Sequence, residues 1–247
     1  MVKSGGLGDR LFISGYDLSG DVASISQLQG GSALLDVTAI NASAHERIGG
    51  LRDGSIDFAT FFNDAAGKQH LVLRALPATD VDALYCRGTA IGNAAIALRG
   101  KQADYKASRG ADGSMGFTAQ LLANAYGIEM GEQLTAGLRT DTAATNGASL
   151  DGAAATALGL TAYLQVTEFT GTDVTVKLQD SADDISFADI TGAGFAQITS
   201  GPQVQRIQTS LTEAVRRYVR VVTVTTGGVT SVSFAVMFVR HKVAISY

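Results

Sequence analysis

The chain has 247 residues, enough to bury a sizeable core in one large domain or two small ones. Apolar residues make up 46% and charged residues 17%, below the quarter usual for soluble domains, a balance that suits a subunit covering much of its surface with neighbours. A formal net charge of -4 without a basic run excludes a broad basic face for nucleic acid, and the single cysteine, Cys86, excludes an internal disulfide or a cysteine metal site.

No apolar run is long enough to span a bilayer, and Met1 to Gly6 lacks the apolar stretch of a signal peptide, so synthesis and folding in a cytoplasm is expected. Glycine is abundant, proline scarce and tryptophan absent. Much of the glycine sits beside Asp, Asn, Thr or another Gly, which is turn chemistry for a meander of strands.

In chain order, Leu11 to Tyr16 reads as a short strand and Ala33 to Ile40 as a second, after the break at Gly30-Gly31. Asn41 to Ile48 reads as a short helical turn capped by Asn41 or Ser43 and stopped by Gly49-Gly50. Leu51 to Phe62 is a strand entered through a tight Asp53-Gly54 turn, with Ile56, Phe58 and Thr60 on one face. Lys68 to Leu76 suits a short amphipathic helix closed by Pro77. Val81 to Arg87 and Asn93 to Arg99 have hairpin spacing, and a further strand runs from Asp112 towards Tyr126.

Residues 131–156 are rich in Thr, Ala, Gly, Asn and Asp, the composition of an extended loop or linker, expected to lie on a neighbouring subunit. Beyond it the pattern is strongly β. Tyr163 to Val166 and Val174 to Gln179 are read as strands joined by Thr170-Gly171-Thr172, Val204 to Thr209 alternates, and Tyr218 to Thr225 with Ser231 to Val239 reads as a long hairpin across Gly227-Gly228. The expected domains are therefore 1–130, a linker over 131–156, and 157–247 as a second β-sandwich. The likeness in plan of the two predicted hairpins, Ala83 to Arg99 and Tyr218 to Arg240, leaves an internal duplication open.

No catalytic constellation is present. His45, His70 and His241 are far apart in sequence and lack metal spacing, and the glycine clusters do not sit between a strand and a long helix. Asp180, Asp183, Asp184 and Asp189 do not match a calcium loop and read as a solvated turn. Cys86 reads as a small core residue, and Arg216, Arg217, Arg220 and Arg240 as an ion-paired face. No cofactor, metal or enzymatic activity is expected.

Glu46 to Phe58, Leu134 to Gly147, and the ending around Arg217 to Val222 and Ser233 to Val236 resemble the major tail tube proteins of long-tailed bacteriophages, particularly those infecting actinobacteria. The resemblance implies a mainly β fold: a tail-tube β-sandwich or barrel with short flanking helices, with two tandem tube-like β domains if the chain is duplicated. It implies subunits whose inner sheets join into a ring, hexameric or a pseudo-hexameric trimer, with rings stacked into a tube. The implied partners are copies of itself, the tape-measure protein and the tail tip or terminator proteins. DNA passes through the lumen without specific binding, no membrane is engaged, and the protein resides in the virion tail after assembly in the host cytoplasm. Contacts between subunits or rings are expected at Arg52, Asp53, Leu134, Arg139, Asp141, Arg217 and Arg220. The alternatives are a capsid decoration or other virion β-sandwich protein, and a carbohydrate-binding module using Tyr163, Phe169 or Tyr218 as platforms.

Overall fold

The computed structural model describes residues 5–243 and is almost entirely β, with two sheets. The chain divides into two compact units. Unit 1 comprises residues 1–20, 82–97 and 130–247, and unit 2 comprises residues 21–81 and 98–129. The units are not consecutive in sequence, unlike the expected division at 130 and 157.

In unit 1 the larger sheet contains β1 (Arg10–Ile13), β2 (Tyr16–Asp17), β5 (Val81–Cys86), the beginning of β6 (Ala94–Arg109), the end of β7 (Met115–Gln133), β8 (Arg139–Asp141), β10 (Leu160–Gly171), β13 (Gln203–Gln208) and β15 (Val229–Arg240). The second sheet is formed by β12 (Ala188–Gly194), β11 (Thr175–Ser181), β14 (Tyr218–Val224) and β9 (Asn146–Asp151), in that order. The stretch 131–156, expected as a loop, thus contains the end of β7 together with β8 and β9. Its small residues suit close strand approach: a Cβ on Gly131 would lie 2.1 Å from the Phe238 carbonyl oxygen.

The antiparallel β10–β15 ladder is buried on both faces. Leu160, Ala162, Leu164 and Val166, with Val232, Phe234, Val236 and Phe238, meet Val176, Leu178, Val219 and Val221 of the second sheet in one core. The opposite face presents Tyr163, Ala235 and Met237 to Phe12, Leu84 and Cys86 in another. Alternating side chains go to opposite faces of a strand, so a strand between two cores must be apolar at nearly every position, as Val232 to Val239 is. Within the second core the fully buried Gln165 crosses from β10, accepting from the Gly15 amide at 2.7 Å and donating to the Asp82 carbonyl at 2.9 Å. The sheet rolls over on itself through this side chain.

The stretch read as a long hairpin in the second half is not one, and the two strands joined by Thr170-Gly171-Thr172 do not pair either. β10 lies in the larger sheet and β11 in the smaller, and β14 and β15 are likewise in different sheets. The segments Gly171 to Val174 and Thr225 to Gly228 are corners that carry the chain from sheet to sheet, and they are tied to each other. The Asp173 carboxylate accepts from the Thr226 amide at 2.9 Å and the Gly227 amide at 2.6 Å, while Thr172 N donates to Gly228 O at 2.8 Å. These amide bonds hold the Asp173 carboxyl below its usual range. The shared hairpin plan behind the suggested duplication is therefore absent. Cys86 is a core residue, as read, and burial pushes its thiol up to about 12.

Unit 2 is built on β3 (Val22–Asp36), β4 (Arg47–Phe61), the first part of β7 and the second part of β6, neighbours in that order. Ile56, Phe58, Phe117, Ala119 and Leu121 are buried on one face, with the buried Leu73 of the helix α1 (Gln69–Leu73). The helix is held from both ends of the unit's sequence: Asp21 accepts from the Gln69 amide at 3.2 Å, and Gln102 Nε2 donates to Leu73 O at 2.7 Å. It is shorter than expected but in the expected place before Pro77. The helical turn expected over Asn41 to Ile48 is not formed. Residues 37–46 are a loop, and β4 begins at Arg47 and runs straight through Asp53-Gly54, which was read as a turn. The loop is closed by Thr38 and Asp36 instead: Thr38 Oγ1 accepts from the Glu46 amide and Asp36 Oδ1 from the Thr38 amide, each at 2.9 Å.

Gly30 and Gly54, paired across β3 and β4, have another role. Ile128 of β7 crosses over them, and a Cβ on Gly30 would lie 1.9 Å from Ile128 Cγ2, on Gly54 2.8 Å from Ile128 N. β7 reaches this position by a kink with positive φ at Ala125 and Gly127. Gly30→Ala is expected to destabilise the protein by about 1–3 kcal/mol through overpacking, measured by denaturant titration. Ile128→Ala in the same chain should recover part of that loss, giving a coupling of about 1 kcal/mol in a double-mutant cycle.

Part of the chain's acid sensitivity resides in the turn between β11 and β12. Asp183 accepts from the Ser186 and Ile185 amides and the Ser181 hydroxyl, which hold its carboxyl down at about 2 against an ordinary 3.8. A carboxyl depressed on folding stabilises fully above its unfolded value and loses that contribution as pH falls through its folded value. The thermal midpoint is expected to drop between pH 4 and pH 2, and Asp183→Asn should flatten that drop. A profile unchanged by the substitution would rule out this role for Asp183.

Candidate assembly surface

Sheets satisfy their backbone groups by pairing, so an edge strand leaves a row of amides and carbonyls open unless something covers or blunts it. In unit 2 the described partner of β3 is β4 alone. From Val22 to Leu35 the strand has no charged residue and no proline, two of the devices that keep such an edge from pairing with another chain, while its register with β4 shifts at Val22/Ser24, Ile25/Gln27 and Ser32/Leu34. Ile25 and Leu28 lie on the covered side of the sheet beside Phe58 and Ile56, yet remain half-exposed because no further strand flanks them. At the far side of the same sheet, β6 is flanked by β5 only over its first part, and its burial falls away towards Arg109.

The other face of this sheet is polar, with Gln27 and Gln29 exposed and Ser55 buried. Gln27, Gln29, Ser32, Ser55, Asp57 and Gln120 border a concavity of about 540 Å³ whose lining contains two aspartates, Asp53 and Asp57, and no lysine or arginine. The alternation that sends Ile56 and Phe58 into the core sends Ser55 and Asp57 here.

Past Gly30 and Gly54, β3 and β4 continue as a two-stranded ribbon whose residues are nearly all exposed. Leu35 and Ile48 oppose one another, and Leu34 (68% exposed) and Leu51 (87%) are among the most exposed large aliphatic side chains described. An isolated two-stranded ribbon is marginal in water, and contiguous exposed apolar groups mark interaction surfaces.

The residues expected at contacts fall into three groups. Arg52 and Asp53 lie on the exposed ribbon. Arg217 and Arg220 lie on the smaller sheet with partners inside the chain. Arg217 forms a two-pronged pair with Asp151, at 2.7 and 2.6 Å, which holds the Asp151 carboxyl down at about 2. Arg220 donates to Gln179 Oε1 and stands 4.0 Å over the Phe187 ring. Leu134, Arg139 and Asp141 face inward. Leu134 is 1% exposed in the sandwich core, and Arg139 bonds Asp141 at 2.7 and 2.8 Å and the Val221 and Thr145 carbonyls at 3.1 Å. These three residues tie the sandwich together from within unit 1. The open edge of β3, the ribbon aliphatics and the polar concavity were not singled out in the sequence. The signal available was the uncharged run from Val22 to Leu35.

Arg240, half-buried, caps the carbonyls of Val215, Arg216 and Arg217, and this burial draws its guanidinium below the ordinary arginine value. Tyr163, considered as a sugar platform, is fully buried in the second core. Among the described residues no group of three or more His, Cys, Asp or Glu side chains is placed to hold a metal ion, and no helix is long and apolar enough to cross a membrane.

No family model and no curated protein matches the chain. Among solved structures, a chain of the virion of a native gene transfer agent particle is similar at 13% identity, over 51% of this chain and 97% of that one, with a TM-score of 0.41. A crystal structure of the SPP1 Dit protein is similar at 13% identity over 94% of this chain and 99% of that one, with a TM-score of 0.34. A chain of the phage p2 baseplate in its activated conformation with Sr is similar at 9% identity over 94% and 98%, with a TM-score of 0.33. Likeness of this degree assigns neither family nor function to the chain.

Proposed function

We propose that the chain is a non-catalytic structural subunit of a phage tail that joins copies of itself into rings around a hollow conduit for DNA. The observation that carries this reading is the long, uncharged and unpaired edge of β3. Such an edge is a hazard in a monomer and a joint in an assembly.

Topology supports ring closure. β3 is antiparallel to β4, β4 is antiparallel to β7, and β7 returns from β6 through the tight turn at Gly110 to Ser114. β3 and the second half of β6 therefore run in opposite directions at the two edges of one sheet. Rotating copies about an axis along the strands sets the β6 edge of one copy beside the β3 edge of the next, always antiparallel, because each copy contributes an even number of strands. The segments Val22–Gln29 and Gln102–Arg109 stand at matching heights, since Val22 pairs with Thr60, and Thr60 with Phe117 near the β6–β7 turn. That junction would cover Ile25 and Leu28 with Tyr105 of the neighbour.

Closing the ring this way turns the polar concavity towards the axis. A lumen passing DNA has to avoid holding phosphates, and a wall of glutamine, serine and aspartate without cations does so. The resemblance of Glu46 to Phe58 to tail tube proteins supports the same reading. The tape-measure protein is the expected content of the lumen during assembly.

Purified protein is expected to form rings or hollow tubes in negative-stain electron microscopy. Ser24→Lys with Gln29→Lys, both at exposed positions, should change folding stability by only about 0.5 kcal/mol each while shifting the protein to monomer in sedimentation velocity. A wild-type monomer at every concentration, or binding to icosahedral shells with no ring or tube, would sink the proposal.

A further inference from the structure

The larger sheet of unit 1 reaches past the edge of the smaller one. Ala95 and Ala97 of β6 are buried in the core beside Cys86, so strand alternation turns Ala94 and Ile96 to the opposite face. On β7, Glu132 pairs with Phe238, whose side chain lies in the sandwich core, so Glu132 and Met130 share that face. These four residues border a hollow of about 430 Å³ together with Gly152 and Lys242, and Met130 is 59% exposed. Beside the hollow runs β9, an outer strand of the smaller sheet whose described partner is β14 alone. Gly152 N donates to Arg217 O at 2.9 Å. That bond sets the backbone groups of Gly152 and Leu150 towards β14 and leaves the amides and carbonyls of Ser149 and Asp151 pointing to the free edge. From Asn146 to Leu150 this edge has no charge and no proline. A second hollow, of about 240 Å³, lies at its other end, bordered by Ala148, Ile91 and Leu138.

We propose that the free edge of β9 is a strand-acceptor site, and that its occupant is the chain's own segment Val243 to Tyr247, added antiparallel to β9 as a fifth strand of the smaller sheet. Lys242 stands at the Gly152 end of β9, so a chain continuing along the groove travels towards Ala148, opposite to the direction of β9. Val243 is exposed, and residues 244–247 lie outside the described ones. In sequence, Val243, Ile245 and Tyr247 alternate with Ala244 and Ser246, the pattern of a strand with one apolar side. Val243 to Tyr247 and Gly152 to Ala148 are segments of equal length, each about 14 Å at roughly 3.4 Å per residue. Laid along β9, the apolar side covers Ile96 and Met130 at the first hollow and brings Tyr247 to Ile91 and Leu138 at the second. The added backbone meets the open amides and carbonyls of Ser149 and Asp151. The contact lies within unit 1, so a failure of ring formation by unit 2 leaves it untouched.

The test is hydrogen exchange of the full chain, resolved to single amides, in the wild type and in Ile245→Asp. In the wild type the Ser149 and Asp151 amides should be protected, and Ile245→Asp should speed their exchange by roughly tenfold or more. The Leu150 amide, bonded to β14, should exchange at the same slow rate in both forms. A variant in which Leu150 also opens has lost the sheet itself, and Tyr247→Ser then replaces it in the same measurement. Ser149 and Asp151 amides that exchange without protection in the wild type, or that stay equally protected in the variants, would overturn the proposal.

Discussion

The β10–β15 ladder is the element on which unit 1 depends. Its two faces lie in different cores, one shared with the smaller sheet and one with β1, β5 and the start of β6. A ladder buried on both sides has all its backbone groups paired and nearly all its side chains apolar, which makes it costly to disrupt and fixes the sheets against it. The corners that leave it, at Gly171 and Gly228, are sealed by one aspartate, Asp173, whose carboxylate takes up the amides that a change of sheet would leave open.

The backbone of unit 2 is completed differently. Its sheet has one face packed on α1, one polar, and an edge at β3 that carries neither charge nor proline from Val22 to Leu35, although its pairing with β4 is irregular at three places. The same chain that closes its corners with Asp173 and ties its rolled sheet with Gln165 leaves Val22 to Leu35 open. That contrast gives the edge its meaning, because the structure elsewhere spends side chains on closing exposed backbone.

The proposed ring follows from directionality. Four antiparallel strands per copy keep the sense of pairing unbroken around an axis. Glutamine, serine and aspartate on the bare face give a surface that water wets and phosphates do not grip, in line with the mild negative charge of the chain.

The sequence by itself determined most of the strands, the pairing of Val81 to Cys86 with the strand after Gly92, the shared face of Ile56 and Phe58, the buried Cys86 and the position of the short helix before Pro77. These depend on local alternation and turn chemistry, which a single strand carries in its own residues. Only the tertiary structure decided that Thr170 to Thr172 and Gly227-Gly228 are corners between sheets, since a turn sequence states that the chain bends and not which sheet receives it. It also decided that Leu134, Arg139 and Asp141 face inward, that the Thr- and Gly-rich stretch after Gly131 contains strand segments, and that the predicted helical turn before Gly49 is a ribbon loop. In each case a partner distant in sequence overrode local preference: Phe238 against Gly131, Val221 against Arg139, and β3 against β4.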